Sequence, residues 1–564
     1  MIGALLLLGL ASAAEVPPAS LALQSALEAE LARVSALRLP DAPSPWLVSF
    51  DVLDGPIHYA AAEDGALYAT NHSGHRMLRA EVRVGDAVVD SSNFSAFGGP
   101  DSVQMRSLPE ESLEVALRRE IWLATDKAYK DAVELLSQKQ AVRRGLREAP
   151  PPDYEVRPPV VVAPGVHGGN ALDGATVDTI ARALSAAAST GLIETAEAEV
   201  RDWHGWHLTA ASDGTRAWRP AGNVVVRVQA TVRRDDGTEV QNARWWVERD
   251  ASALPSVEAM VAEARSMATR LVEIAAAPEP TPWLGPVLFE GPAATELFSQ
   301  LLAPELVGTR PEESDDSMIM GGGTPRARLG RRLLPEGWRV WDDPSTRTGA
   351  AGEYALDHEG VAPRRVDLVV GGVVKDLLMS RIPGKDRVSS TGHGRGLGSG
   401  RRAAIVGYTR VAAPKPLSAR ALRRRALDMA TAIGLEAVLV VNRLTPPAMV
   451  DNLEFAMSGD APLAGLTAPY EACLLDKKGV CTPVRNLRFV GVDRRALRDI
   501  VAAGPGPGPE NQLDGPSGTS RYTIGTTGGV PTTWSVPSVL LSEMELEPAV
   551  GGEPRVIRVE RGAP

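Results

Sequence analysis

The chain predicts an α+β protein: an N-terminal α/β domain, a middle β-rich segment and a C-terminal, mostly antiparallel β domain. Three observations predict it. Apolar residues recur at helical spacing in separate stretches, such as Leu23, Leu27, Leu31 and Val34. Elsewhere they alternate with polar residues at the period of a strand. Proline-rich breaks at 150–159 and 278–282 then divide the chain into blocks 18–150, 151–278 and 283–550.

In order, residues 23–34 form an amphipathic helix that Pro40 and Pro43 end. Short β runs follow between Trp46 and Val89: WLVSFDVL, IHYAAA, ALYATN and RAEVRVGDAVV. Leu113, Leu117, Ile121, Ala124, Ala128, Ala132 and Leu135 mark a long helix. After the proline junction, 178–188 reads as helix and 193–249 as β. Val226, Val228, Ala230 and Val232 alternate with Arg227, Gln229, Thr231 and Arg233, and Asp236-Gly237 signals a hairpin. Met260, Ala264, Met267, Leu271 and Ile274 stripe the next helix as core residues. In the last block Ser418 caps a helix that Gly434 stops, and AVLVVNRL reads as a buried strand. Residues 502–520 read as a loop by composition, and WSVPSVLLSEMEL as one final strand.

The net charge of −10, with no basic stripe, argues against a nucleic-acid partner. Residues 1–14 have the apolar core and small-residue cleavage site of a signal peptide, without its basic start. The expectation is export to a periplasmic or extracellular space. No later run reaches the roughly 18 apolar residues of a membrane helix, so no span is expected after signal removal. Cys473 and Cys481 flank a turn at 476–479. In an exported protein they form a disulfide or remain two buried thiols, and both readings stand.

The chain is organised around residues 338–395. A strand ends in Asp342-Asp343-Pro344, and a small-residue loop leads to Asp357-His358-Glu359-Gly360. A strand, the turn Gly371-Gly372, a second strand to Ser380-Arg381 and the loop Ser390-Thr391-Gly392 follow. This order resembles the C-terminal domain of the TldD/PmbA (modulator of DNA gyrase) metalloprotease family. The resemblance implies a peptidase fold with zinc held by a His-Glu-x-x-x-His helix and a late Cys. Two imidazoles about one turn apart hold the ion, and the Glu acts as general base.

Laid on that pattern, the helix opened by Pro292 keeps only Glu296, with Thr295 and Gln300 in the histidine places. The late segment Tyr522 to Gly529 carries no Cys. The resemblance therefore points to the PmbA/TldE-type branch without the zinc motif, and no cofactor is expected. It implies a homo- or hetero-oligomer with a TldD/PmbA relative and a peptide ligand. One alternative is an active metallopeptidase with zinc on rearranged ligands drawn from Glu296, Asp342, Asp343, Asp357, His358, Glu359 and His393. Another is a structural envelope protein.

Each sharp reading has a plainer one. For Glu296 the plainer reading, a polar residue on a partly buried helix, is preferred, as is Asp357-His358-Glu359-Gly360 as a turn with its imidazole bonded to backbone. His72/His75 and His204/His207 sit three apart, which on a strand sends the rings to opposite faces. Gly321-Gly322-Gly323 lacks the ending of a phosphate loop.

Overall fold

A computed structural model describes residues 18–95, 99–111, 113–163, 170–278, 280–314, 329–396, 398, 400–445, 465–514 and 529–549. The signal-like residues 1–14, Gly321–Gly323 and all of Tyr522–Gly529 but Gly529 lie outside them.

The N-terminal half begins with α1 (Pro18–Ser35), then β1 (Pro45–Glu63), β2 (Ala66–Val84), β3 (Phe94–Ser95), β4 (Val103–Ser107) and α2 (Glu114–Arg143). It continues with β5 (Val161–Val162), α3 (Gly174–Ala188), β6 (Thr195–Ala211), β7 (Arg216–Arg233), β8 (Glu239–Glu248) and α4 (Val257–Ala276). The four short runs expected between Trp46 and Val89 are two 19-residue strands of one hairpin, turned at Asp64 and Gly65, both at positive φ. Helix α3 starts at Gly174, four residues before the expected start, because Asp173 caps it by accepting from the Thr176 amide.

The proline junction at 150 does not separate two sheets. Strand β1 pairs with β2 on one side and with β6 on the other, in a sheet ordered β4-β2-β1-β6-β7-β5 with β8 on β7. Blocks 18–150 and 151–278 thus build one sheet. Long strands settle this, because an unpaired flank of β1 would leave a row of backbone groups unsatisfied.

Strand periodicity gives this sheet two unlike faces. Val48, Phe50, Val52, Leu78, Ala80, Val82 and Leu208 join one apolar cluster under α1 and α2. Val200, Val226, Val228 and Ala198 join another under α3 and α4. Between the apolar positions stand Asp51, Arg79, Glu81, Arg83, His207 and Thr209, and these polar residues are buried too. Their cover comes from the C-terminal half: the Arg402 guanidinium reaches Asp51, and Arg79 donates to the Gly398 and Gly400 carbonyls.

That half opens with β9 (Trp283–Phe289), α5 (Pro292–Leu301), β10 (Glu313–Ser314), β11 (Arg339–Asp342), β12 (Val366–Val370) and β13 (Val373–Val374). Next come β14 (Gly394–Arg395), β15 (Ala403–Ala404), β16 (Tyr408–Ala412), α6 (Ala419–Ala432), β17 (Ala437–Leu444) and β18 (Pro469–Asp476). It closes with β19 (Cys481–Val484), β20 (Leu487–Phe489), β21 (Ile500–Ala503), β22 (Pro509–Asp514), β23 (Val530–Ser535) and β24 (Val539–Pro548). Two large sheets result, ordered β13-β12-β11-β16-β23-β22 and β19-β18-β17-β9-β24-β20, with β21 on β24. Their pairs are mostly antiparallel, with parallel pairs β16–β23 and β17–β9. Outside them β14 pairs with β15, and β10 pairs with β3 of the N-terminal half.

Three local expectations change here. The Gly- and Pro-rich stretch 502–520 contains strand β22, held by its register on β23. WSVPSVLLSEMEL is split between β23 and β24 in different sheets, because Pro537 lacks the amide a continuing strand needs. The strand after Gly371-Gly372 stops at Val374, well short of Ser380-Arg381. Ser418 caps α6 as expected, accepting from the Ala421 amide.

Candidate functional site

Helix α5 lies in the C-terminal core. Pro292 occupies its first turn, and Ala293, Ala294, Leu297, Phe298 and Leu301 pack into the main cluster. Glu296 is only 1% exposed. Its Oε1 accepts from Gln512 Nε2 at 3.0 Å and its Oε2 from Gln300 Nε2 at 3.3 Å. Gln300 also donates to Thr467 Oγ1 at 2.9 Å and accepts from the Thr467 amide at 3.0 Å. Glu510, on β22 with Gln512, has its pKa raised by burial.

This arrangement anchors a carboxylate by amide dipoles. A zinc ion needs thiolate, imidazole or carboxylate donors grouped around an open position. The residues in the two histidine places are a hydroxyl and an amide, and that amide is bonded to Glu296 and Thr467. They do not fit zinc. Among the described residues, no three His, Cys, Asp or Glu side chains are grouped so as to hold a metal ion.

The alternative ligands are dispersed into structural bonds. Asp342, at the end of β11, accepts from the Thr409 hydroxyl at 2.5 Å and the Gly407 amide at 3.0 Å, and meets His393 Nε2 at 3.0 Å. Asp343 takes the Ser345 hydroxyl at 2.6 Å. Asp357 receives the amides of Glu359, Val361 and Gly394 at 2.8–2.9 Å, so the Asp357–Gly360 loop is a turn closed by its first residue. His358 Nδ1 accepts from the Gly396 amide at 2.9 Å, as the plainer reading expects. Glu359 Oε2 accepts from the Arg381 amide at 2.6 Å.

What the fold brings together instead is a charged seam between the turn and the polar face of the N-terminal sheet. The rings of His358 and His207 meet edge to face, 5.2 Å apart. His207 Nε2 is 2.8 Å from Asp51, and Thr209 donates to the same oxygen at 2.8 Å. Burial would raise the Asp51 carboxyl, yet Arg402 and His207 hold it well below the usual range. Burial and the Arg219 guanidinium push His207 down to about 4. His358 is depressed as well, by burial, His207 and Arg219. Both rings are therefore neutral near pH 7. Glu359 goes the other way: burial and the neighbouring Asp357 push it up to about 7.

Sequence reasoning passed over Asp51, Glu81, Arg83, Arg219 and Arg402. A signal was present in the alternation of Arg79, Glu81 and Arg83 with Ala80, Val82 and Val84. Such a pattern ordinarily marks a solvated face, and here a second sheet system covers it. His204 faces away from His207 and bonds Asp202 at 2.6 Å, while His72 reaches Asp178 at 3.0 Å. Neither histidine pair converges. Cys473 and Cys481, on β18 and β19, lie with Cα atoms 5.3 Å apart and are joined in a disulfide.

Residues 284–547 match the family model described as the PmbA/TldA metallopeptidase C-terminal domain. The sequence matches no curated protein. Similar solved structures include a protein titled a modulator of DNA gyrase from Thermotoga maritima, at 13% identity and a TM-score of 0.55, covering 89% of this chain and 96% of that one. A second of that title, from Bacteroides thetaiotaomicron, is 11% identical with a TM-score of 0.55, over 94% of this chain and 99% of that one. TldE from Thermococcus kodakarensis is 13% identical, also at 0.55, over 93% and 99%. At such identities these structures share a fold with the chain. Residues 284–547 thus carry the C-terminal domain of the PmbA/TldA metallopeptidases, and the chain as a whole shares the fold of these structures.

Proposed function

We propose that the chain is an exported, zinc-less member of this peptidase family that acts as a peptide-binding partner subunit, assembled with a TldD/PmbA relative or with itself. The observation that carries it is the clamp on Glu296. In the place where the family resemblance implies a general base beside zinc, the carboxylate is held by Gln300 and Gln512, and Thr295 replaces a ligand. A general base must be free to take a proton from bound water, and an acceptor engaged on both oxygens is poorly suited to that. No described helix is long and apolar enough to cross a membrane. Export rests on residues 1–14 of the sequence.

Metal stoichiometry tests the reading. The full chain, purified without chelators or affinity metals, is expected to hold far less than one zinc per chain and to hydrolyse no peptide alone. Zinc near one per chain, with hydrolysis that a chelator removes, overturns it.

A further inference from the structure

A cavity of about 160 Å³ opens beside the Asp357–Gly360 turn, roughly ten times what a single water needs. Arg157, Thr215, Glu359, Ala362 and Arg381 are among its lining residues. It is separate from the Glu296 clamp, and no catalytic or zinc-ligand place falls in it. The two arginines differ. Arg157 is paired with Glu155, its Nε 3.0 Å from Oε2 and its Nη2 3.0 Å from Oε1. Arg381 is 6% exposed, and among the described residues its guanidinium has no ion pair. Its Nε donates to the Glu155 carbonyl at 2.9 Å, one Nη1 reaches the Glu359 carbonyl at 3.4 Å, and its plane lies 4.3 Å from the Tyr154 ring. No described group accepts from Nη2.

Buried guanidinium groups are nearly always matched by an anion, because neutral acceptors do not offset the cost of removing the charge from water. Nearby, Arg79, Arg83 and Arg402 each have a carboxylate, while Arg219 and Arg395 spend their Nη groups on carbonyls, an imidazole and a hydroxyl. Arg381 differs in that its Nη2 is left over beside a cavity. We propose that the cavity is a carboxylate-binding site in which the Arg381 guanidinium is the charge partner. The planar fork of Arg381 suits a carboxylate, with Nη2 as the donor left for it. Thr215 lines the wall as well, its hydroxyl oxygen accepting from the Val160 amide at 3.4 Å, and Val160, Val361 and Pro158 accept a short apolar stem. Glu359 shares the wall. Burial favours its protonated form, in which it donates to an anion instead of repelling it. The ligand is a small carboxylic acid or the C-terminus of a peptide, which present the same group.

Calorimetric titration of the full chain with propionate, N-acetyl-trialanine and N-acetyl-trialanine amide tests this. Binding of propionate, with the amide at least tenfold weaker than the free-acid peptide, supports the site and a small-acid ligand. Binding of the free-acid peptide alone supports the site and a peptide C-terminus. No binding of either acid, or equal binding of the amide, overturns the proposal. Arg381→Gln is expected to weaken binding at least tenfold. Because that change sits in a packed seam, Ala362→Trp, at an exposed position on the cavity wall, provides a second variant. Undiminished binding in folded Ala362→Trp also overturns the proposal.

Discussion

Glu359 shows how one residue is set by its surroundings. In the unfolded chain its carboxyl titrates near the usual 4.5, and in the fold near 7, because burial and Asp357 disfavour the charge. The folded state therefore holds its proton more tightly between those values. Glu359 contributes stability below pH about 4.5 that is lost as pH rises through about 7. His207 acts in the opposite sense: its depressed pKa makes folding less favourable as pH falls from 6.5 toward about 4. Asp51, held low, contributes stability that is lost only when acid falls below its ordinary 3.8. The informative quantity is thus a difference. Glu359→Gln should remove a loss of stability on the order of 1–3 kcal/mol between pH 5 and 8, read from urea melts of both proteins across that range. Equal pH slopes for the two would show that Glu359 does not titrate there. His358 and Glu359 were visible in sequence as a chemically loaded turn, but their neighbours on β1, β2 and β6 lie hundreds of residues away. No local pattern names such partners.

At the scale of elements, the β18–β19 hairpin joins two short strands across the turn at Asp476 to Gly479, whose amides and carboxylate close on one another. Cys473 and Cys481 bridge it, closing a loop with a sequence separation of 8. Constraining so short a loop in the unfolded chain is worth about 2–3 kcal/mol in the chain-entropy model. Replacing both cysteines with serine should lower the denaturation midpoint accordingly, and mass spectrometry of the unreduced protein should find no free thiol. Two alkylatable thiols in protein recovered from an oxidising compartment would refute the bridge. The helices and the hairpin turns were legible because caps, glycines and apolar stripes act within a few residues. Strand β22 was not, since PENQLD has no strand periodicity of its own and is extended by its pairing with β23.

For the molecule as a whole, the charged seam joins the two halves. Arg402 from the C-terminal half meets Asp51 on β1. At the other end of α2, Lys139, fully buried, donates to Asp153 at 2.7 Å, and Arg310 contacts the same carboxylate. Breaking a buried pair by removing one partner typically costs 3–5 kcal/mol, because the other charge stays behind. Arg402→Met should cost about that much, and it should uncouple the halves. Calorimetry is then expected to show two thermal transitions where the native chain shows one. A single, undisplaced transition would mean that the contacts left in place, such as Arg310 with Asp153 and Val225 and Val247 with Leu513, are enough to hold the halves together.

The sequence by itself determined the α+β class, the main helices, the family order of residues 338–395 and the loss of histidine from the helix carrying Glu296. These are properties of residue identity and short-range spacing, and no tertiary contact is needed to express them. Only the tertiary structure decided that blocks 18–150 and 151–278 share one sheet, that Gln300 and Gln512 clamp Glu296, and that the polar face of that sheet is buried. Each of these depends on which strand lies beside which, and strand pairing is chosen by long-range burial and by satisfying backbone groups, neither of which leaves a local mark. The same reason separates Arg381 from Arg79, Arg83 and Arg402. All are alike in sequence, and the fold leaves this one on a cavity wall beside Glu359, with Nη2 donating to no described group.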